Sequence, residues 1–197
     1  MSKYLKPIKV VCCDNCESAE NIINDYPSQA ILTNNNHRIY STVKENGYIL
    51  LDFGREISGG IRVTVNNVGN ADAELDITFG ESVSEALTKN GIKNADNHHS
   101  IRSYRIPARF LSTQRIGDIG FRFVKISARN ADVEISSIKA ETDYYDKEYT
   151  GSFECDDELI NEIWKVGAYT VQLNMNDYLW DGVKRDRLIW IGDMHPE

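Results

Sequence analysis

Residues 60–80 read GIRVTVNNVGNADAELDITFG. Apolar side chains occupy every second position twice over, at Ile61, Val63 and Val65 and again at Leu75, Ile77 and Phe79. A period of two places each set on one face of an extended chain, so both runs read as half-buried antiparallel strands. Between them Gly69-Asn70 supplies turn chemistry. Working outward, further strands are expected at residues 48–53, 101–106, 121–127 and 132–139. Turn or loop punctuation is expected at Gly59-Gly60, Asn66-Asn67, Asn90-Gly91 and Gly117-Asp118. Several strands with no helix between them predict a mainly β fold, an antiparallel β-sandwich of jelly-roll-like type.

One stretch breaks the rhythm. ESVSEALTKNGIKNADNHHS, residues 81–100, is polar and rich in Asn and reads as a long loop with a short helical turn at residues 83–87. His98 and His99 are neighbours, and on an extended chain they point to opposite sides, so they read as loop residues rather than a metal pair.

Composition narrows the function classes. The 197 residues are 41% hydrophobic, enough for one full domain plus a piece of a second. A net charge of −8 argues against nucleic acid as a partner, because phosphate binding draws on clustered Lys and Arg. No apolar run approaches the length of a membrane span, and the opening MSKYLKPIKVVCC is too short in apolar residues for a signal peptide. The expectation is a cytoplasmic protein with no membrane partner. The four cysteines form no disulfide framework. Cys13 and Cys16 have CxxC spacing, open to a redox or zinc reading. With no second ligand pair they read as reduced thiols in or near a strand. No metal and no cofactor are expected.

Near residue 150 the pattern changes. CDDELINEIWKVGAYTVQLNM, residues 155–175, sets Leu159, Ile163 and Val166 on one side with Ile160, Trp164 and Val171 beside them, which is helical spacing. Asp156 or Asp157 is placed to cap this helix, and Cys155 to pack onto Ile160. Its broad apolar face needs other helices to cover it. The expected division is a sandwich over residues 1–147, then a linker, entry helix and first functional segment over residues 148–197. The uncovered face also predicts self-association.

The densest chemistry lies in WDGVKRDRLIWIGDMHPE, residues 180–197. Asp181, Asp186 and Asp193 are threaded with Arg185, Arg187, Trp180 and Trp190. Carboxylates and arginines offer bidentate partners to sugar hydroxyls, and an indole face stacks on a pyranose ring. A salt-bridged surface turn with the tryptophans as anchors uses the same residues, and residue types alone leave both readings open.

The run DGVKRDRLIWIGD closely resembles the active-site segment of bacterial α-L-rhamnosidases of glycoside hydrolase family seventy-eight. LDFGREISGGIRV at residues 51–63 and GFRFVKI at residues 120–126 resemble the sandwich that precedes the catalytic domain in that family, and GSFECDDELINEIWKVGAYTV resembles its entry helix. The resemblance covers most of residues 48–197. It implies an (α/α)6 barrel whose start is the helical segment, and inverting release of terminal α-L-rhamnose from an oligosaccharide or glycoside. It also implies Asp186 as the general acid, where many members carry Glu, one methylene longer. Asp181, Arg185, Trp190 and Asp193 correspond to sugar-binding positions. Inversion also needs a base with its carboxyl about 6.5–9.5 Å from the acid, to admit water. In the family that base lies later in the barrel, so the chain reads as an N-terminal fragment without hydrolase activity of its own. The rival reading is a non-catalytic carbohydrate-binding or structural sandwich module.

Overall fold

The computed structural model describes residues 3–24, 39–89, 92, 101–142, 148–184 and 187–192. Among these residues, seven strands form one antiparallel network: β1 (Lys3–Leu5), β2 (Lys9–Glu17), β3 (Ser41–Val68), β4 (Glu74–Gly80), β5 (Ser103–Pro107), β6 (Ser112–Arg129) and β7 (Val133–Thr142). A 3-10 turn (Ala19–Ile23) follows β2, a short helix α1 (Val83–Leu87) follows β4, and α2 (Glu158–Asn174) follows β7.

The register shows how one network makes two layers. The first half of β3 pairs with β2 and with the second half of β6, as in Leu50 with Cys12 and Lys125, and β4 and β5 extend that layer. The second half of β3 pairs with the first half of β6 and with β7, as in Val63 with Gln114 and Ile138, and β1 completes the second layer. Strands β3 and β6 therefore belong to both layers and bend between them, which is how sandwich corners are made.

The bends explain where turn residues and turns part company. Gly59-Gly60, Asn66-Asn67 and Gly117-Asp118, read from sequence as punctuation, lie inside β3 and β6. At the crossing the pairing slips between Gly59 and Ile61, and Gly117 has φ +80. A Cβ on Gly60 would sit 2.3 Å from the Gly117 carbonyl oxygen, so the two backbones can meet only without a side chain there. A larger bulge takes in residues 53–56, between the Asp52–Phe123 and Ile57–Phe121 pairs. Asn90-Gly91, His98 and His99 lie outside the described residues.

The expected alternation holds at atomic level. Ile61, Val63, Val65, Leu75, Ile77 and Phe79 are all at most 1% exposed. Phe79 meets Phe121 and Tyr104 edge to face, and Phe53 meets Phe121 in the same way, so the core spans both layers at the bends. The fold is mainly antiparallel β with a helical segment after it. The described cysteines are all free, Cys12, Cys13 and Cys16 lie on β2, and burial pushes the Cys16 thiol up to about 11. Among the described residues no cluster of His, Cys, Asp and Glu is arranged to hold a metal ion. No helix there is long and apolar enough to cross a membrane.

Candidate functional site

Asp157 caps α2, its carboxylate accepting from Leu159 N at 2.9 Å, and the acidic cap suits the positive end of the helix. Cys155 is held by Asn161, which accepts from the Cys155 backbone N at 2.9 Å and donates to its carbonyl at 2.8 Å. Leu159, Ile160, Ile163 and Val166 are exposed, and Leu173 near the other end is buried. The helix is fastened to the sandwich through its C-terminal half. Tyr169 donates its hydroxyl to the Glu56 carbonyl at 2.5 Å and lies under the Arg55 guanidinium at 5.2 Å. Just past the helix, Asn176 donates to Ser58 Oγ at 3.1 Å.

Beyond the helix the chain turns back through a bridge between Met175 and Leu179 and closes a loop at residues 181–188. Asp181 N donates to the Leu188 carbonyl at 2.9 Å, and Leu188 N donates to Asp181 Oδ1 at 3.0 Å. The second Asp181 oxygen has no partner among the described residues, so it stays available to a hydroxyl. Trp190 follows, exposed, two residues past this closure. No hydrogen bond or ring contact joins it to Asp181. Arg185, Asp186 and Asp193 lie outside the described residues.

Arg187, read from sequence as a polar member of the terminal cluster, and Lys184, which that reading did not single out, hold this loop on the sandwich. Arg187 makes a two-pronged pair with Asp118, with Nη1 at 2.9 Å from Oδ2 and Nη2 at 3.2 Å from Oδ1. Its Nε donates to the Val183 carbonyl at 3.0 Å, and its guanidinium lies 4.5 Å from the Trp180 ring centroid. One side chain thus joins the loop, an indole and β6. Lys184, 8% exposed, places Nζ 2.9 Å from Glu81 and 2.6 Å from Glu85, at the start of α1. The signal was present in part: both cations sit inside the motif, but their partners lie far away in sequence.

Glu56, in the bulge at residues 53–56, lies near Lys184 and Glu81. Burial, reinforced by Glu81, pushes its carboxyl up to about 8, and Lys184 only partly opposes this. Its Oε1 is buried without a hydrogen-bond partner. Near neutral pH Glu56 is mostly protonated, which leaves the Lys184 charge to Glu81 and Glu85. On the neighbouring strand Arg122 grips Asp52 at 2.8 and 2.9 Å and holds that carboxyl below its usual range.

A loop closed on Leu188, carrying a guanidinium and a half-free carboxylate and flanked by Trp180 and Trp190, thus follows the helix that is fastened to the sandwich. The family described as the bacterial alpha-L-rhamnosidase 6 hairpin glycosidase domain matches residues 148–197. Residues 148–197 are thus similar to that glycosidase domain, and the sandwich precedes them in the chain. A curated relative, the alpha-L-rhamnosidase of Formosa agariphila, is 26% identical over 157 residues, covering 76% of this chain and 16% of that protein. Two solved structures share the fold. The rhamnosidase from Klebsiella oxytoca, solved with rhamnose bound, matches 98% of this chain and 39% of its own, with TM-score 0.74 and 19% identity. The GH78 family rhamnosidase of Bacillus sp. GL1 matches 88% and 17%, with TM-score 0.64 and 23% identity. The chain spans well under half the length of each.

Proposed function

We propose that this chain serves an inverting α-L-rhamnosidase, in which residues 1–147 form the supporting sandwich and residues 148–197 the first wall of the rhamnose site. The observation that carries the reading is the closed loop at residues 181–188, pinned to β6 and α1 by Arg187 and Lys184, within the stretch that matches the six-hairpin family. In this reading Asp181 holds sugar hydroxyls with its unpartnered oxygen, Arg185 and Asp193 add polar partners, and Trp190 covers an apolar ring face. Asp186 protonates the leaving oxygen. Being one methylene shorter than Glu, Asp186 must draw the glycosidic oxygen closer to the loop. The base is none of these three aspartates, so the 197-residue chain binds rhamnose weakly and releases none. A cytoplasmic setting is part of the same proposal, resting on the free cysteines.

The experiment is a pair of assays on the purified chain. Titration with L-rhamnose should change tryptophan fluorescence in the wild type, and this change should be lost in Trp190→Ala and weakened in Asp181→Asn. A 4-nitrophenyl α-L-rhamnoside should be left intact. Hydrolysis that disappears in Asp186→Asn would overturn the inactivity. A response indistinguishable from that to D-glucose would overturn the site.

A further inference from the structure

Glu56, Glu81, Glu85 and Lys184 meet where the loop at residues 181–188 touches the sandwich. Glu56 comes from the bulge of β3, Glu81 from the connection before α1, Glu85 from α1 and Lys184 from the loop itself. Gly120 of β6 marks the floor of this contact. A Cβ there would sit 2.7 Å from Val183 Cγ1, 3.1 Å from Glu56 Oε1 and 3.3 Å from Lys184 Cβ. The missing side chain lets the loop and the Glu56 carboxyl pack against the same spot on β6.

The charges at this contact are unequal. Lys184 Nζ is 2.9 Å from Glu81 and 2.6 Å from Glu85, so its ammonium is shared by two carboxylates before Glu56 is counted. Arg122 also faces Glu56, and it is gripped by Asp52 at 2.8 and 2.9 Å. Glu56 Oε1 is buried with no hydrogen-bond partner. On its backbone side Glu56 meets α2, where Tyr169 donates to its carbonyl and Arg55 lies over the Tyr169 ring. An ionised Glu56 would add a third carboxylate to a shared ammonium in a site closed to water, whereas a neutral carboxyl fits. Burial and Glu81 favour that neutral form and push the carboxyl up to about 8.

Part of that burial is supplied by Val183 and Lys184, which pack beside Glu56 Oε1 over Gly120. Seating the loop keeps water from the carboxyl, so seating and proton binding favour each other by linkage. Lifting the loop hydrates the carboxylates and screens their repulsion, which helps only once Glu56 has lost its proton. We propose that Glu56 is a proton-operated latch for the loop at residues 181–188, holding it seated while the carboxyl is protonated and releasing it when the carboxyl ionises. Resting on the rhamnose-site reading, the latch makes sugar affinity fall as pH rises, because the loop carries Asp181 and leads into Trp190. The sign follows from the raised carboxyl. Seating loosens as pH climbs from the ordinary 4.5 toward about 8 and changes no further above that.

The test uses the intact chain carrying Trp164→Phe and Trp190→Phe, so that Trp180, 4.5 Å from the Arg187 guanidinium, alone reports on the loop. Acrylamide quenching of Trp180 should rise about twofold between about pH 6 and 8.5 and then level off, with far-UV circular dichroism unchanged. Glu56→Gln should abolish the rise. Glu81→Gln, at a half-exposed side chain, removes a like charge and should bring the plateau in about half a pH unit lower or more. With the native tryptophans, L-rhamnose should bind about threefold or more weakly at about pH 8.5 than at about pH 6, and equally at both in Glu56→Gln. A flat profile in the parent chain, or a rise that persists in Glu56→Gln, overturns the latch. If Glu56→Gln does not fold, a lowered plateau in Glu81→Gln sustains the latch and an unshifted one overturns it. A Trp180 profile as expected with rhamnose bound at neither pH leaves the latch standing and sinks the rhamnose reading. A flat profile with pH-independent rhamnose binding does the reverse.

Discussion

Replacing Glu56 by Gln should change how stability depends on pH, and the structure sets the size. The carboxyl is mostly buried in the bulge of β3, with an unpartnered oxygen, and is pushed from an ordinary 4.5 up to about 8. Between those values the folded chain keeps a proton that the unfolded chain has lost, so rising pH removes stability. The contribution is complete below pH 4.5 and gone above about 8. At about 1.4 kcal/mol per pH unit, the ceiling is about 5 kcal/mol, and relaxation of the Lys184 and Glu81 side chains should leave roughly half. Gln imitates the protonated acid and cannot titrate. The two proteins should therefore match near pH 5, and Glu56→Gln should be more stable by about 2–3 kcal/mol at pH 9. Urea unfolding followed by tryptophan fluorescence, at one-unit steps from pH 5 to 9, isolates this difference from every other titrating group. A wild-type-to-variant difference that stays constant with pH would refute the reasoning.

Three further outcomes follow from the same geometry. A double-mutant cycle on Arg187→Gln and Asp118→Asn should give a coupling of about 0.5–1 kcal/mol, modest because Asp118 is 55% exposed, and shrinking with salt. A coupling of zero would mean that the loop is held by Lys184 alone. Gly60→Ala should cost about 1–3 kcal/mol in denaturant unfolding or more, since its methyl meets backbone rather than a movable side chain. A neutral effect would show that the crossing can spread. Ile163→Glu, at a side chain 60% exposed on α2, should leave stability nearly unchanged and abolish any concentration-dependent association in sedimentation velocity. Persistent association in the variant would exclude that face.

Much of the sandwich was legible because strand chemistry is local. The alternation at residues 61–65 and 75–79 needs nothing but a period of two, and the cap on α2 needs only an acid before an apolar run. The layer-switching strands were not legible. A glycine pair such as Gly59-Gly60 carries the same signal for a turn and for a close crossing, and only the distant Gly117 backbone decides between them. The terminal motif pointed to a candidate site through residue types. What positions it, Asp118 under Arg187 and Glu81 and Glu85 around Lys184, is 69 to about 100 residues away in sequence and was invisible to spacing. Glu56 was hidden for a different reason. Its perturbation comes from burial in a bulge, and no residue type encodes that.

The sharing of β3 and β6 between both layers also bears on how such a protein can change over time. A sandwich made of two separate sheets can slide, swap or lose one of them. Here every cut across the middle severs a strand on which the other layer depends, so the halves must be inherited together. Room for novelty is confined to the connections between strands, where chain can be added without breaking either ladder. The face that meets the helical segment is fixed by the same two strands, and a lineage could restyle what the protein recognises while keeping the bench on which the site is mounted.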